Sequence, residues 1–208
     1  MEYSLTLVTP PTIEPISTDE AVNYMRLDAP SSADSAFTAG LIKAARKYCE
    51  NFQHRAYITQ SWEMSLDEFP CAHDDRLNDW NTSDVIEIPM GNLQTVDSIK
   101  YADSANVIHA LTAGTDYIVS ARGILGRISP PYNGIWPTSQ LAPLDPIVIG
   151  FTCGYGNKST DVPETAKQAM YMLIAYWYNN REAAAQYVPK EIEFSVKALL
   201  TMDRIAVI

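Results

Sequence analysis

The sequence predicts an α+β fold with a mainly α-helical core of two N-terminal and two C-terminal helices and an inserted antiparallel β region. Apolar residues recur at helical spacing near both ends of the chain and alternate with polar residues in its middle. The middle segments are short and separated by turn residues, which is typical of antiparallel sheets. The predicted parts are an N-terminal arm and helices over 1–56, a β-rich insertion over 57–160, and C-terminal helices with a tail over 161–208.

The N-terminal part is predicted to contain an extended arm and two helices. Residues 3–7 alternate before Pro10 and Pro11, which favours an extended arm. Ser17 and Glu20 form the pattern of a capping box, which starts the first helix. Ser31 starts the second helix. Its predicted apolar stripe consists of Phe37, Leu41, Ala44, Tyr48 and Phe52.

Alternating patterns in the middle of the chain predict strands. Ile58, Gln60, Trp62, Met64 and Leu66 share one predicted face. Ile147, Ile149, Phe151 and Cys153 share another, in the last strand. Shorter strands are predicted near residues 85–88, 99–101, 107–111 and 117–120.

The third helix is predicted to follow Pro163 and to be apolar on all sides. Residues 169–178 contain no charge, and a helix of this kind must be covered all round. Ten residues are too few to cross a bilayer, so the cover is expected to be protein. Met170, Leu173 and Trp177 form one face, whereas Tyr171, Ile174 and Tyr178 form a second. A last amphipathic helix is predicted from Ser195.

Composition excludes several classes of protein. The 208 residues are 47% hydrophobic and 19% charged, which excludes intrinsic disorder as the main state. The net charge of -10 argues against nonspecific wrapping of DNA, because an acidic chain repels phosphate. Three scattered cysteines indicate reduced thiols in a cytosolic protein. The sequence predicts neither a signal peptide nor a membrane span.

No motif predicts a catalytic residue, a cofactor or a metal. The stretch 71–75 offers too few ligands at zinc spacing, and an ordinary polar loop is the simpler interpretation. Residues 154–157 lack the glycines and the Gly-Lys-Ser/Thr ending of a phosphate loop, which favours a turn. The acidic loop around Asp67, Glu68, Asp74 and Asp75 leaves one alternative open, a small hydrolase with a carboxylate pair.

Several strings of residues stand in a distinctive order. They are LVTPPTIEPISTDEAVNYMRLD, FTAGLIKAARKYCENFQHRAYITQSWEMSLDEFP, IEIPMGNLQTVDSIKYAD, IVIGFTCGYGNKSTDVPETAKQAMYMLIAYWYNNREA and FSVKALLTMDRI. Together they resemble the head–tail connector (adaptor) family of tailed bacteriophages and prophages, from about Leu5 to Arg204. The resemblance implies a structural virion protein rather than an enzyme, made in the host cytoplasm and located at the head–tail junction.

The resemblance also implies partners. Such proteins form a homo-oligomeric ring of roughly a dozen copies beneath the portal protein, closed by head-to-tail contacts. The ring extends the channel through which genomic DNA passes without specific binding, and it docks later connector or tail proteins. No cofactor and no membrane are implied. Another tail-completion or neck protein remains an alternative.

Three groups of residues are expected to act in such a ring. Tyr171, Ile174 and Tyr178 are predicted to face a neighbouring subunit, because the third helix needs more cover than one small domain supplies. Asp67, Glu68, Asp74 and Asp75 are predicted to line the channel or its rim, since acidic groups let DNA slide. Ile205, Val207 and Ile208 are predicted to dock the apolar C-terminal tail on a partner's sheet edge.

Overall fold

The computed structural model describes residues 3–28, 31–70, 84–180 and 190–205. The chain divides into two compact units. The first, the sheet unit, comprises Met1–Pro10 and Gln60–Gly154. The second, the helical unit, comprises Pro11–Thr59 and Tyr155–Ile208.

The sheet unit contains the strands of the described chain. They are β1 Tyr3–Thr9, β2 Gln60–Leu66, β3 Ile86–Ile88, β4 Leu93–Ala102, β5 Ile108–Leu111, β6 Ile118–Ser120, β7 Gly126–Ser129 and β8 Ile147–Cys153. Five of them form a sheet in the order β1-β2-β8-β4-β5, and three form a second sheet in the order β3-β7-β6. Every neighbouring pair in both sheets is antiparallel.

The larger sheet is organised around the central strand β8, whose residues are alternately buried and half-buried. Ile149 lies opposite Met64 on one side and opposite Ile99 on the other, and all three side chains are buried. Because a one-residue slip would turn this apolar set to the opposite face, burial fixes the register of the sheet. The alternation predicted for β2 and β8 is confirmed.

The prediction of a mainly α-helical core with an inserted β region is wrong. Within the described ranges, the protein has four α-helices and two antiparallel sheets, which together contain eight strands. The segment predicted as an extended arm is β1, which pairs with β2, so the sheet includes residues from the start of the chain. A local pattern cannot distinguish an arm from an edge strand when the partner, Gln60–Leu66, lies far along the sequence.

The helical unit contains α1 Thr18–Met25, α2 Ser32–Gln53, α3 Glu164–Asn179 and α4 Lys190–Thr201. The predicted capping box of α1 is confirmed, because the Glu20 backbone N–H donates to Ser17 Oγ and the Ser17 N–H donates to Glu20 Oε2. Ser31 caps α2, as predicted. No helix in the described part of the chain has the length and apolar character needed to cross a membrane.

The core of the helical unit forms where α3 packs against α1, α2 and α4. The buried face of α2 is not the predicted stripe. It is formed by Thr38, Ile42, Ala45, Cys49, Glu50 and Gln53. Phe37 and Tyr48 lie at its margin, each 38% exposed. Ile42, Ala45 and Cys49 are the residues of α2 that join the core cluster together with Ala166 and Ala169 of α3.

Candidate functional site

The sequence resemblance predicts assembly into a ring, so the candidate site is the surface of α3 that a neighbouring subunit was predicted to cover. Three aromatic pairs border this helix. Tyr171 stacks on Tyr24 of α1 with ring centroids 4.9 Å apart. The other two pairs join α3 to α2. The ring centroids of Tyr178 and Phe37 are 6.0 Å apart, and Trp177 meets Tyr48 edge to face with ring centroids 6.3 Å apart. Aromatic pairs in these geometries stabilise packing beyond the area they bury.

Tyr178 is fixed by a hydrogen bond as well as by its aromatic neighbour. Its hydroxyl donates to Asp34 Oδ1 over 3.0 Å. The other oxygen of Asp34 accepts a hydrogen bond from the hydroxyl of Ser31, the N-cap of α2, over 2.8 Å. Tyr178 therefore attaches the last turn of α3 to the first turn of α2, and its half-buried ring is held in one orientation.

Tyr171, near the middle of α3, has a similar arrangement. Burial raises the pKa of its hydroxyl, and the charges of Glu20 and Glu164 raise it further. Gln168 Nε2 donates to the hydroxyl of the stacked Tyr24 over 3.4 Å. Tyr24 is 42% exposed, so the stack presents an aromatic edge to the surface.

Ile174 lies elsewhere. It is 1% exposed and belongs to the core cluster that includes Met170 and Leu173. Of the three residues predicted to face a neighbour, the structure brings Tyr171 and Tyr178 to the half-buried surface and places Ile174 inside the protomer. The surface formed by Tyr171, Tyr178, Tyr24, Phe37 and Tyr48 is called the aromatic surface below.

The end of the described chain is held by the C-terminal end of α2. The Ile205 backbone N–H donates to the carbonyl of Gln53 over 3.0 Å, and Ile205 is 4% exposed. The Gln53 side chain donates to the carbonyl of Leu200 over 2.8 Å, and Arg55 Nε donates to that of Asp203. These bonds satisfy carbonyls that the end of α4 would leave unpaired. Val207 and Ile208 lie outside the described residues.

A partly buried polar network links the C-terminal half of α2 to Glu14 and Tyr57. Glu50 accepts hydrogen bonds from the Tyr57 backbone N–H and from Arg46, and Arg46 also pairs with Glu14. Burial disfavours the charge on Arg46, but its bonds to the two carboxylates prevail and raise its pKa. Sequence reasoning did not identify this network, since no local pattern links Glu14 to Arg46.

The predicted channel-lining acids are only partly described. Asp67 and Glu68 follow β2 directly and are exposed. Asp67 Oδ1 accepts the backbone N–H of Asp145 over 3.0 Å, so it also shapes a turn. Asp74 and Asp75 fall outside the described ranges. In the part of the chain that the structure describes, no cluster of His, Cys, Asp or Glu is arranged to hold a metal ion.

One acid–base pair joins β5 to the turn between β4 and β5. His109 Nε2 is 2.9 Å from Asp103 Oδ2. Asp103 Oδ1 also accepts the backbone N–H groups of Ala105 and Val107. The bond to His109, together with these backbone bonds, lowers the pKa of Asp103. The arrangement closes the turn between β4 and β5.

The same fold occurs in gene transfer agent (GTA) particles. One similar chain comes from a structure of the virion of a native GTA particle, with a TM-score of 0.73 and 21% identity over 98% of this chain and 96% of that chain. A second comes from the neck of an empty GTA particle computed with C6 symmetry, with a TM-score of 0.72 and 22% identity over 99% and 97% of the two chains.

A third similar chain comes from the neck of a native GTA particle computed with C12 symmetry. Its TM-score is 0.69 and its identity 20%, over 100% of this chain and 97% of that chain. The likeness therefore covers both units of the protein. No protein-family model and no curated protein matches the sequence.

Proposed function

We propose that this protein is a structural virion protein, a head–tail connector (adaptor) that forms a ring beneath the portal in the neck of a phage-like particle. The observation that carries the proposal is its fold, which is shared over nearly the whole chain with chains from GTA neck structures. Those necks were computed with C6 and C12 symmetry, and copies arranged in this way form closed rings.

The strings behind the sequence resemblance support the proposal, because two of them meet in the fold. Gln60 and Ser61 of ITQSW lie opposite Cys153 and Thr152 of FTCGYG in the pairing of β2 with β8. The Thr59 backbone N–H donates to the carbonyl of Gly156 over 3.0 Å. Gly156 has little space for a side chain, since an added Cβ would lie 2.1 Å from the carboxylate of Asp161. These residues therefore specify the architecture.

Assembly uses the aromatic surface of the helical unit in this proposal. Tyr171 and Tyr178 face a neighbouring copy across the exposed edges of Tyr24, Phe37 and Tyr48. Aromatic side chains held rigid before binding lose little conformational entropy at an interface. A head-to-tail contact forms a closed ring when the rotation from one copy to the next adds up to a full turn.

The channel and the docking sites follow from charge and from the chain end. Acidic groups at Asp67, Glu68, Asp74 and Asp75 line the channel or its rim, where they repel phosphates and let genomic DNA slide. Ile205 is held inside the protomer, so docking of the tail on the portal falls to Val207 and Ile208. Later connector or tail proteins bind the opposite side of the ring.

The proposal is tested by removing the gene from the genome that encodes it. A connector mutant is expected to accumulate separate heads and tails, with DNA packaged but not retained. Supplying the protein to a lysate of the mutant restores complete particles. Particles that form normally without the protein, or heads that fail to assemble at all, contradict a connector role. Complete heads and necks joined to aberrant tails favour a tail-completion protein instead.

A further inference from the structure

The five-stranded sheet has two open edges, β1 and β5. Among the described residues, β1 pairs only with β2 and β5 pairs only with β4. Proteins commonly protect edge strands with charges, prolines or covering segments, because unpaired backbone groups recruit another strand. Neither β1 nor β5 contains Lys, Arg, Asp, Glu or Pro. Both edge strands therefore lack the charged and proline residues that commonly protect an edge.

Both edges are also accessible and partly apolar. Six of the seven residues of β1 are exposed, and Val8 is 53% exposed. Three of the four residues of β5 are exposed, and Ile108 is 70% exposed. An exposed strand with apolar side chains and free backbone groups is a template for strand addition.

The two edges run in the same direction. Each of the four steps from β1 through β2, β8 and β4 to β5 is antiparallel, so the first and last strands of the sheet are parallel. Copies related by a rotation about an axis close to the strand direction keep that direction. When such copies stand side by side, β5 of one copy faces β1 of the next as a parallel pair.

The strands beside the two edges carry charged residues on one face of the sheet. Glu63 and Ser98 both lie opposite Gly150, and Lys100 follows Ser98 by two residues, so Glu63 and Lys100 share that face. Both residues are exposed. Glu63 lies on β2, beside β1, and Lys100 lies on β4, beside β5. Asp97 of β4 accepts a hydrogen bond from Thr152 Oγ1 on the same face, so the flank beside β5 carries both signs of charge. The common direction of the two edges, rather than their charge, supports the pairing.

We propose that β5 of one copy pairs in parallel with β1 of the next, so that a second copy of this chain covers each open edge. The inference rests on the proposed function in one respect, namely that the copies form a ring. A head-to-tail ring needs two different, complementary patches on each molecule, and the two edges supply them. Backbone hydrogen bonds between the strands hold the contact and set its register.

Cross-linking between two engineered cysteines tests the pairing. Thr6 lies opposite Glu63 and Ala110 lies opposite Lys100, so both side chains project from the face that Glu63 and Lys100 share. Thr6→Cys and Ala110→Cys are introduced singly and together into full-length Cys71→Ser protein, in which the remaining Cys49 and Cys153 are buried. Each preparation is treated with a short bismaleimide, alone and after mixing with portal rings.

The double variant is expected to give a ladder of covalent oligomers. Each single variant should stay monomeric on a denaturing gel, and a mixture of the two single variants should give dimers. Cross-linking of Thr6→Cys alone would indicate a symmetric β1–β1 contact and would overturn the proposal. Absence of the ladder, both with and without the portal, would overturn it as well.

A charged edge gives an independent test. Thr6→Lys places a lysine opposite Glu63, where the protomer tolerates it, but puts a charge on the open edge. The variant is expected to keep the melting temperature of the parent and to lose rings in electron micrographs. Thr138→Lys, at an exposed residue outside both edges, is the matched control and should form rings. Rings formed equally by both variants would contradict the pairing.

The outcomes separate this inference from the proposed function. If the double cysteine variant forms rings that bind the portal but gives no cross-link between its two engineered cysteines, the connector role stays intact and the strand pairing is removed. A protein that forms no ring with or without the portal removes the connector role and the pairing together.

Discussion

The hydroxyl of Tyr178 donates a hydrogen bond over 3.0 Å to the carboxylate of Asp34, which joins the end of α3 to the beginning of α2. Tyr178→Phe removes this bond and keeps the ring against Phe37. We expect it to cost about 1 kcal/mol of unfolding free energy and to leave assembly intact. Urea denaturation and sedimentation velocity measure the two effects.

Tyr178→Ala removes the ring itself. If the aromatic surface contacts a neighbouring copy, this variant should weaken assembly beyond the loss expected from Tyr178→Phe. Comparing the assembly of Tyr178→Ala and Tyr178→Phe at equal fraction folded isolates the contribution of the aromatic ring. Assembly that is equally strong in both variants would show that the aromatic ring of Tyr178 makes its contacts only within the protomer.

Met170 provides the contrast, because it is buried in the helical core. Met170→Ala should cost about 2–5 kcal/mol, since it leaves a cavity between α3 and its neighbours. The folded fraction of this variant is expected to assemble normally. A loss below about 0.5 kcal/mol, measured by urea denaturation, would contradict the central position of α3 in the core.

The capping box of α1 makes stability depend on acidic pH. Hydrogen bonds from the backbone N–H and the side chain of Ser17 lower the pKa of Glu20 below its ordinary value of 4.5. A lowered pKa stabilises the fold above that ordinary value, and this contribution disappears as the pH falls through the folded-state pKa. Glu20→Gln should therefore be less stable than the parent at neutral pH and should approach it in acid.

Ser17→Ala is the companion variant, and it should cost about 1 kcal/mol at neutral pH. Because the backbone bond to Glu20 remains, the pKa of Glu20 should rise only part of the way to its ordinary value. An NMR titration of Glu20 measures this shift. An unchanged pKa in Ser17→Ala would mean that the side-chain bond contributes nothing.

Alkaline pH should destabilise the helical unit. Burial raises the pKa of Cys49 to about 12 from an ordinary value of 9.0, and burial also raises the pKa of the Tyr57 hydroxyl. A raised pKa of this kind means that the folded state holds its proton longer than the unfolded chain. The stability that the protonated Cys49 contributes is therefore fully present below pH 9.0 and is lost as the pH rises towards 12.

Denaturation at increasing pH measures this loss, and Cys49→Ala should make it less steep. In the native protein Cys49 should resist alkylation and react only after unfolding, because the thiolate is the reactive form. A native Cys49 that reacts as fast as a free thiol would contradict its burial.

Two truncations distinguish the anchoring of Ile205 in the protomer from the docking of the tail on the portal. Removal of residues 206–208 should leave the melting temperature unchanged and weaken binding to the portal. Removal of residues 205–208 should also lower the melting temperature, because it deletes the buried Ile205 and its bond to Gln53. Equal portal binding by the first truncation and the full chain would exclude the tail as a docking segment.

The features that sequence predicted correctly are local ones. Ser17 with Glu20, the cap at Ser31 and the alternation from Ile147 to Cys153 each depend on residues a few positions apart. Burial and hydrogen bonding between such near neighbours do not depend on the rest of the chain, so the structure contains the predicted caps and alternation.

The features that sequence missed depend on distant partners. The alternation in β1 was visible, but its pairing with β2 was not, and the sheet was therefore misassigned as an insertion. In α2 the large aromatics suggested the buried face, whereas Ile42, Ala45 and Cys49 supply its apolar side chains. Ile174 was predicted to face a neighbour because α3 has two apolar faces, and other helices of the same unit cover it.

A ring that binds the portal is the assembly that defines the proposed connector. Electron microscopy of the purified protein mixed with portal rings from the same genome tests it most directly, with the protein alone and an unrelated portal as controls. We expect ring-shaped density with cyclic symmetry, stacked coaxially on one face of the cognate portal. Portal particles that remain bare at saturating protein, with no rings in the background, would contradict the claim.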